Sequence, residues 1–383
     1  MKNLVKEKKK VFLIAQSARG GLRKHLCDLL DNLDYQKFEV WVIYNDVYVD
    51  EIFKKHVDFL EEKIHTFVIH ELVREMNPLK DIVAYKKLNR LMKEIRPDIV
   101  HCHSSKAGVA GRLAATRNHV KKIFYSPHWY AFLSPEFSKR KRKLFILIER
   151  VLSKYFTTKT FACSMGEKET AISNGIDKEE KFLIIHNGIP DIPLPSREES
   201  RRKLKLPLNA YILGNVARMV PQKNPLLFFH LSKLILEKNP WIHFVWIGDG
   251  PLLEMVKNYI DQNGLSNNIH IYGYLSEVEI LVSAFDGTLT TTEGEGFSYS
   301  ILESLRVGIP VLSSNVMGNN EAIITQKNGM LFDSETIVEN PNLVFDFIDW
   351  SKTITRESVK QTFLDRFPVE VMIKKISEEY LRD

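Results

Sequence analysis

Short unbroken runs of Val, Ile, Leu and Phe alternate with longer amphipathic runs along this chain, and that alternation most narrows what it can fold into. "KVFLIAQS" (10–17), "FEVWVIYN" (38–45), "HTFVIH" (65–70), "PDIVHCHS" (97–104), "KKIFYSPHW" (121–129), "TKTFACS" (158–164) and "FLIIHNG" (182–188) read as strands. Helix-like stretches lie between them, at about 22–33 after a Gly-Gly turn and at about 79–95. Strands that are apolar on both faces need cover on both faces, which strand–helix alternation supplies by making the sheet parallel.

The segment "NGIPDIPLPS" (187–196) packs three prolines and a glycine into ten residues and reads as a linker. The grammar then restarts. "AYILGNVAR" (210–218), "IHFVWIGDGP" (242–251), "IHIYGY" (269–274), "FDGTLTTT" (285–292) and "GIPVLSS" (308–314) read as strands, 224–239 as a helix, and 368–383 as a closing amphipathic helix. A length of 383 residues suits two cores. The expected class is α/β, with two doubly wound parallel-sheet domains facing a central cleft. Their spans are 1–188 for the first domain, 189–198 for the linker, 199–366 for the second domain and 367–383 for a helix that packs back on the first. Ligands of such sheets bind at the carboxyl ends of the strands.

Charge separates the halves. Residues 1–190 carry 35 Lys and Arg against 23 Asp and Glu, and the remainder carries 19 against 25. A basic half favours an anionic partner such as a phosphorylated substrate, a membrane surface or nucleic acid. The basic residues are dispersed and no stacking platform or known module accompanies them, which argues against nucleic acid. No apolar segment is long enough to span a bilayer, and "VFLIA" after the basic start is a strand rather than a leader core. Three scattered cysteines, Cys27, Cys102 and Cys163, fit a reducing cytoplasm.

Four stretches could carry chemistry. In "SARGGLRKH", Gly20 and Gly21 stand between strand and helix, where backbone N–H groups can approach an anion; a tight turn without ligand is the competing reading. In "GNVARMVPQKNP", Arg218 ends a strand and Lys223 follows in a turn, a fork donor and a point charge suited to a diphosphate. In "EGEGFSYSILESL", a Gly-rich turn precedes a helix expected to begin near Ser298. The amides of Gly296, Phe297 and Ser298 then point at the turn's occupant, and the carboxylates of Glu295 and Glu303 suit vicinal hydroxyls. The alternative is dipole compensation by Glu295 and an ordinary surface Glu303. In "FYSPHWYAFL", His128 ends a strand among aromatics, as a base, a donor or a core histidine. Alternate strand positions point to opposite faces, so His101, Cys102 and His103 are not expected to hold a metal. No other Cys/His spacing suggests one, and no G-x-S-x-G nucleophile elbow occurs.

Taken together, "PDIVHCHSSKAG", "SPHW", "IIHNGI", "GNVARMVPQKNP", "WIGDGP" and "GEGFSYSILESLRVGIPVLSS", with His25 after the early Gly-Gly, resemble the family-4 retaining glycosyltransferases of GT-B fold. The most specific element is the seven-residue interval between Glu295 and Glu303. The resemblance implies two Rossmann-like domains and transfer of a hexose-type sugar from a nucleoside diphosphate donor, most commonly UDP. The acceptor would be a glycan or a polyprenyl-linked sugar in bacterial surface polysaccharide or glycolipid assembly. It implies that Glu303 holds the ribose, that Glu295 lies by the transferred sugar, and that Arg218 and Lys223 clamp the diphosphate. Gly20 and Gly21 would lie near the phosphate, His128 by the donor sugar, and Gly273 and Tyr274, with Tyr272, by the base. Glu293 rivals Glu295 but breaks the interval. No cofactor is expected, and the lack of an acidic metal motif at a donor-half strand end points to metal independence.

A run of five cations, Lys139, Arg140, Lys141, Arg142 and Lys143, precedes an apolar helix-like stretch. With the N-terminal "KEKKK" it suggests peripheral docking on the anionic inner face of the plasma membrane. A sugar-nucleotide epimerase of the same fold would share the two domains but needs no acceptor. A non-catalytic sugar-nucleotide-binding subunit would have little reason to keep Arg218, Lys223, Glu295 and Glu303 together.

Overall fold

The computed structural model describes residues 7–134, 136–275 and 281–382; Lys6 of the N-terminal basic run lies outside them. The chain forms two compact units, residues 1–188 with 369–383, and residues 189–368.

The first unit holds β1 (Lys9–Ala15), α1 (Gly20–Asn32), β2 (Phe38–Tyr44), α2 (Glu51–Phe59), β3 (Ile64–Val68), α3 (Pro78–Ile95), β4 (Ile99–His103), α4 (Ser105–Arg117), β5 (Lys122–Ser126), α5 (Lys139–Phe156), β6 (Lys159–Ala162), α6 (Met165–Ser173) and β7 (Phe182–Ile184). The strands form one parallel sheet in the order β3-β2-β1-β4-β5-β6-β7. Chain order reverses beside β1, the switch point at which such sheets open a crevice. The period-2 geometry of a strand sorts the β1 side chains between two cores. Val11, Leu13 and Ala15 join one apolar cluster with Leu26, Leu29 and Met372, while Phe12 and Ile14 join another with Leu88, Ala107 and Ala114. Both faces are therefore apolar, as the unbroken runs require.

The second unit holds α7 (Arg197–Lys203), β8 (Tyr211–Val216), α8 (Pro225–Leu236), β9 (Ile242–Ile247), α9 (Leu253–Gln262), β10 (Ile269–Ile271), β11 (Gly287–Thr290), α10 (Tyr299–Val307), β12 (Val311–Ser314), α11 (Asn319–Ala322), β13 (Gly329–Phe332), α12 (Asn342–Ser351) and α13 (Arg356–Leu364). Its parallel sheet runs β10-β9-β8-β11-β12-β13. Edge strand β13 and helices α2, α4, α6, α7, α9, α11, α12 and α13 go beyond the sequence reading. The last helix, α14 (Val369–Leu381), belongs to the first unit, where Met372, Ile376 and Tyr380 complete its core. Burying such side chains stabilises the unit by roughly 1.5–3 kcal/mol each.

Several boundaries near the candidate residues differ from the sequence reading. Helix α1 begins at Gly20, so the glycines open a helix instead of forming a separate turn; Gly20 has φ +57°, which glycine adopts without strain. Strand β5 ends at Ser126 and β8 at Val216, so His128 and Arg218 each stand two residues beyond a strand end. Helix α10 starts at Tyr299, close to the expected Ser298, which puts Glu303 little more than one turn inside it.

Candidate active site

In the second unit the turns after two neighbouring strands are tied together. Beyond β8, Pro221–Lys223 forms one 3-10 turn, and Asn224 (φ +45°) caps α8 by accepting from the Leu227 amide. Beyond β11 lies Thr291–Ser298. Thr291 Oγ1 donates to the Lys223 and Asn224 carbonyls at 3.1 and 2.9 Å. Thr292 Oγ1 and the Glu293 amide both donate to the Gln222 carbonyl, at 2.9 and 2.8 Å, and Gln222 Nε2 donates to the Gly294 carbonyl at 2.8 Å. These bonds hold the two turns in one register, and Lys223 Nζ closes the arrangement on Glu295 Oε2. The sequence reading set Lys223 on a diphosphate and Glu295 beside a sugar; here the two are partners.

The other donor-site candidates sit in the turns that follow β8, β10 and β11 and on α10. Glu303 is buried on α10, which removes the ordinary surface reading. Glu293 is exposed and accepts from Asn224 Nδ2 at 3.3 Å, outside the Lys223 pair. Phe297 is buried against Phe367, and Ser298 caps α10 by position, its hydroxyl lying 3.1 Å from that of Ser300. Gly296 meets Gly318, where a Cβ would come within 2.4 Å of the Gly296 carbonyl oxygen. Arg218 is exposed. Beside it, the amide of Met219 donates to the Asp249 carbonyl at 2.8 Å, and a Cβ at Gly248 would strike the Ala217 carbonyl oxygen at 2.1 Å. "WIGDGP" thus needs its first glycine for backbone contact with the Arg218 turn. Gly273 has φ +53° and its carbonyl accepts from the Gly248 amide at 2.6 Å; Tyr274 is exposed. The side chain of Tyr272 is engaged elsewhere, its hydroxyl donating to the Leu204 carbonyl at 2.5 Å.

In the first unit, His25, His103 and His128 come together. His25 is buried on α1, with Nδ1 3.3 Å from Asn187 Oδ1. His103 ends β4, and its Nδ1 lies 3.0 Å from His128 Nε2. His101 and His103 sit two apart on β4 and therefore share a face, their rings 4.0 Å apart. The run does split, with Cys102 on the opposite face, but the two histidines share one face, so the split does not keep them apart as expected. His101 is occupied on both nitrogens, by Tyr380 Oη at 2.6 Å and Ser126 Oγ at 2.8 Å. Burial holds these imidazoles neutral. It brings His25 down to about 4 against a partly opposing hydrogen bond to Asn187 Oδ1. It holds His101, His103 and His128 well below their usual value, and the neighbouring rings add to the effect.

The turn bearing His128 is held from beneath. His128 and Trp129 have φ of +50° and +82°, a conformation costly for residues with side chains. Glu167, buried on α6, accepts the Trp129 amide at 2.8 Å through Oε1 and the Cys163 amide at 2.9 Å through Oε2. Sequence reasoning missed Glu167. Ser164–x–x–Glu167 resembles an ordinary helix-capping pair, and nothing local reveals that the carboxylate reaches 38 residues back along the chain. Asn187, Gln222 and Gly318 were missed for the same reason: their partners are distant in sequence.

Two parallel α/β sheets, with polar turns clustered beyond the carboxyl ends of their strands, define an α/β protein of GT-B architecture. Residues 19–191 match the family described as Glycosyltransferase Family 4, and residues 196–343 the family described as Glycosyl transferases group 1. The chain belongs to glycosyltransferase family 4 and is a glycosyltransferase. It is 30% identical over 334 residues, 85% of each chain, to the UDP-Gal:alpha-D-GlcNAc-diphosphoundecaprenol alpha-1,3-galactosyltransferase of Escherichia coli. It is 25% identical over 325 residues, 84% of this chain and 85% of the other, to the O-antigen biosynthesis glycosyltransferase WbnH of Escherichia coli. Among solved structures it is similar in fold to Anabaena Alr3699/HepE in complex with UDP, with TM-score 0.78, 20% identity, and coverage of 96% of this chain and 98% of that one.

Proposed function

We propose that this chain is a retaining, metal-independent glycosyltransferase that moves a hexose from a UDP-sugar to a polyprenyl-diphosphate-linked acceptor in bacterial surface-polysaccharide assembly. The observation that carries the reading is the linked pair of turns, with Lys223 on Glu295 and the buried Glu303 one helical turn inside α10. The UDP and lipid-diphosphate parts draw support from the relative that uses UDP-Gal and a diphosphoundecaprenol acceptor.

When the bond from sugar to diphosphate breaks, negative charge grows on the leaving group. Arg218, Lys223 and the N–H groups at the start of α10 supply donors for it without a divalent cation. Glu295 holds the lysine in place before the donor arrives. The ribose is assigned to Glu303, and Gly273 and Tyr274 are assigned to the base. Gly20 and Gly21, opening α1, are assigned to the phosphate or acceptor, and His128 to the donor sugar. Retention is read as front-face departure and attack through an oxocarbenium-like state.

The acceptor's lipid gives α5 a role. Its first turn carries Lys139, Arg140 and Lys141 and no acid, which sets cations against the positive end of the helix dipole. Glu149 anchors the inner face through a buried double hydrogen bond to Arg112, at 3.0 and 2.9 Å. Leu144, Leu147, Val151 and Tyr155 are exposed on the same helix. A cationic end beside an exposed apolar stripe suits an anionic bilayer surface. No helix among the described residues is long and apolar enough to cross a membrane.

Calorimetric titration with UDP, GDP, dTDP and ADP, with and without EDTA, tests the donor class. Subsequent assay with UDP-galactose and a polyprenyl-diphosphate-linked amino sugar tests the transfer. Tight binding of UDP alone, unaffected by EDTA, is expected; binding of none of the four sinks the reading.

A further inference from the structure

We propose that His25, His103 and His128 form a site for one divalent transition-metal ion of the zinc class, separate from any requirement of sugar transfer. One ring nitrogen from each of the three lies within 4.8 Å of the other two. His103 Nδ1 and His128 Nε2 are already 3.0 Å apart. Two ligands on one tetrahedral zinc ion, with Zn–N of about 2.0–2.1 Å, stand roughly 3.4 Å apart. That pair therefore needs little movement, and the widest pair in the group must close by on the order of 1 Å to reach the same spacing.

One of the nitrogens has no visible purpose in the protein alone. His25 Nε2 is buried and makes no hydrogen bond among the described residues. Buried polar atoms are almost always partnered, so an orphan beside the His103–His128 pair calls for an explanation. For His25 the chemistry is defined further. Its Nδ1 can donate to Asn187 Oδ1, which leaves the lone pair on Nε2. An imidazole oriented by a hydrogen bond from its far nitrogen to an oxygen is the usual arrangement of a metal-bound histidine. A cavity of about 10 Å³ touches His25 and His128 but not His103, and Ser126, Cys163, Asn187 and three apolar side chains complete its lining. It has room for one water or one ion and for nothing larger.

The donor set decides the class of ion. Three neutral imidazoles without a carboxylate favour zinc, copper, nickel or cobalt over magnesium, calcium and manganese. The site is therefore compatible with transfer that needs no magnesium. On binding, the proton shared between His103 Nδ1 and His128 Nε2 moves to the far nitrogen of its own ring, so both imidazoles bind in the neutral form and no proton is released. A filled site also withdraws His128 from the substrate, so zinc inhibits transfer and EDTA restores it. That inhibition, unlike the binding, rests on the role proposed for His128.

The test uses the full chain, stripped with chelator and titrated with cobalt chloride. The visible absorption spectrum is recorded, and metal per chain is measured after dialysis. The expected result is one cobalt per chain with a tetrahedral-type visible band, competed away by zinc. Binding should weaken at least tenfold in His103→Ala and in His25→Ala. Circular dichroism checks folding; if an alanine variant misfolds, His103→Gln and His25→Gln, closer in size, replace it. Wild-type chain that binds no cobalt, or variants that bind it as well as wild type, overturn the site and leave water as the occupant of the cavity. Binding with the expected spectrum but no inhibition of transfer upholds the site and overturns the role given to His128.

Discussion

Lys223 Nζ donates to Glu295 Oε2, tying the turn that follows β8 to the turn that follows β11, and those two strands are hydrogen-bonded neighbours in the sheet. The lysine is thus positioned by the protein and not by a ligand. Lys223→Ala should reduce the rate of sugar transfer about 100-fold or more, the scale for losing one preorganised donor to transition-state charge. Arg218→Ala should do the same. Because Arg218 is exposed, its loss should leave the unfolding temperature nearly unchanged. Initial rates at saturating donor decide it, and near-normal turnover in both variants ends the clamp assignment.

Glu303 is assigned to the ribose and is buried beside the turn. Glu303→Ala should weaken UDP binding by roughly 10- to 100-fold, which corresponds to the 1.5–3 kcal/mol of a hydrogen bond to a charged group. Calorimetry with UDP and with free pyrophosphate separates this from damage to the phosphate site. A loss confined to UDP is expected, and equal loss for both ligands would move Glu303 away from the ribose.

Glu167 supports the left-handed pair His128–Trp129 through the Trp129 amide. Glu167→Ala leaves buried N–H groups without an acceptor, which costs about 1–3 kcal/mol each. A lower unfolding temperature should accompany a fall in kcat, because His128 loses its fixed position. Glu167→Gln keeps one oxygen acceptor and should recover part of both. Thermal unfolding and steady-state rates of the two variants provide the check.

Neutralising Lys139, Arg140, Lys141, Arg142 and Lys143 to glutamine should abolish sedimentation with anionic liposomes, since each cation near such a surface contributes about 1 kcal/mol. The same change removes cations from the start of α5, so the unfolding temperature should hold or rise. Unchanged liposome binding would refute docking through this run.

His25, His101, His103 and His128 are held neutral by burial, with His25 lowered from 6.5 to about 4. A depressed folded-state value means that the unfolded chain takes up protons first as the pH falls. The stability contributed by His25 is therefore complete above about pH 6.5 and is lost on the way down to about pH 4. Chemical denaturation at steps across that window should show a steady fall, shallower in His25→Gln. A flat profile would mean that the cluster is open to water.

The sequence by itself determined β1 to β12, because unbroken apolar runs need cover on both faces and only parallel α/β layering supplies it; edge strand β13 escaped it. It determined the phosphate and carboxylate candidates too, because Arg218, Lys223, Glu295 and Glu303 stand at fixed offsets from strand ends and glycines, and such offsets are local. Only the tertiary structure decided which of them touch. Lys223 and Glu295 are separated by 72 residues and meet because β8 and β11 are adjacent in the sheet. The histidine cluster draws on α1, the end of β4 and the turn after β5, and Glu167 reaches that turn from α6. Contacts of that kind depend on strand order and on which face of a strand a side chain takes. A one-residue error in that reckoning, as with His101 and His103, separates groups that the folded chain brings together.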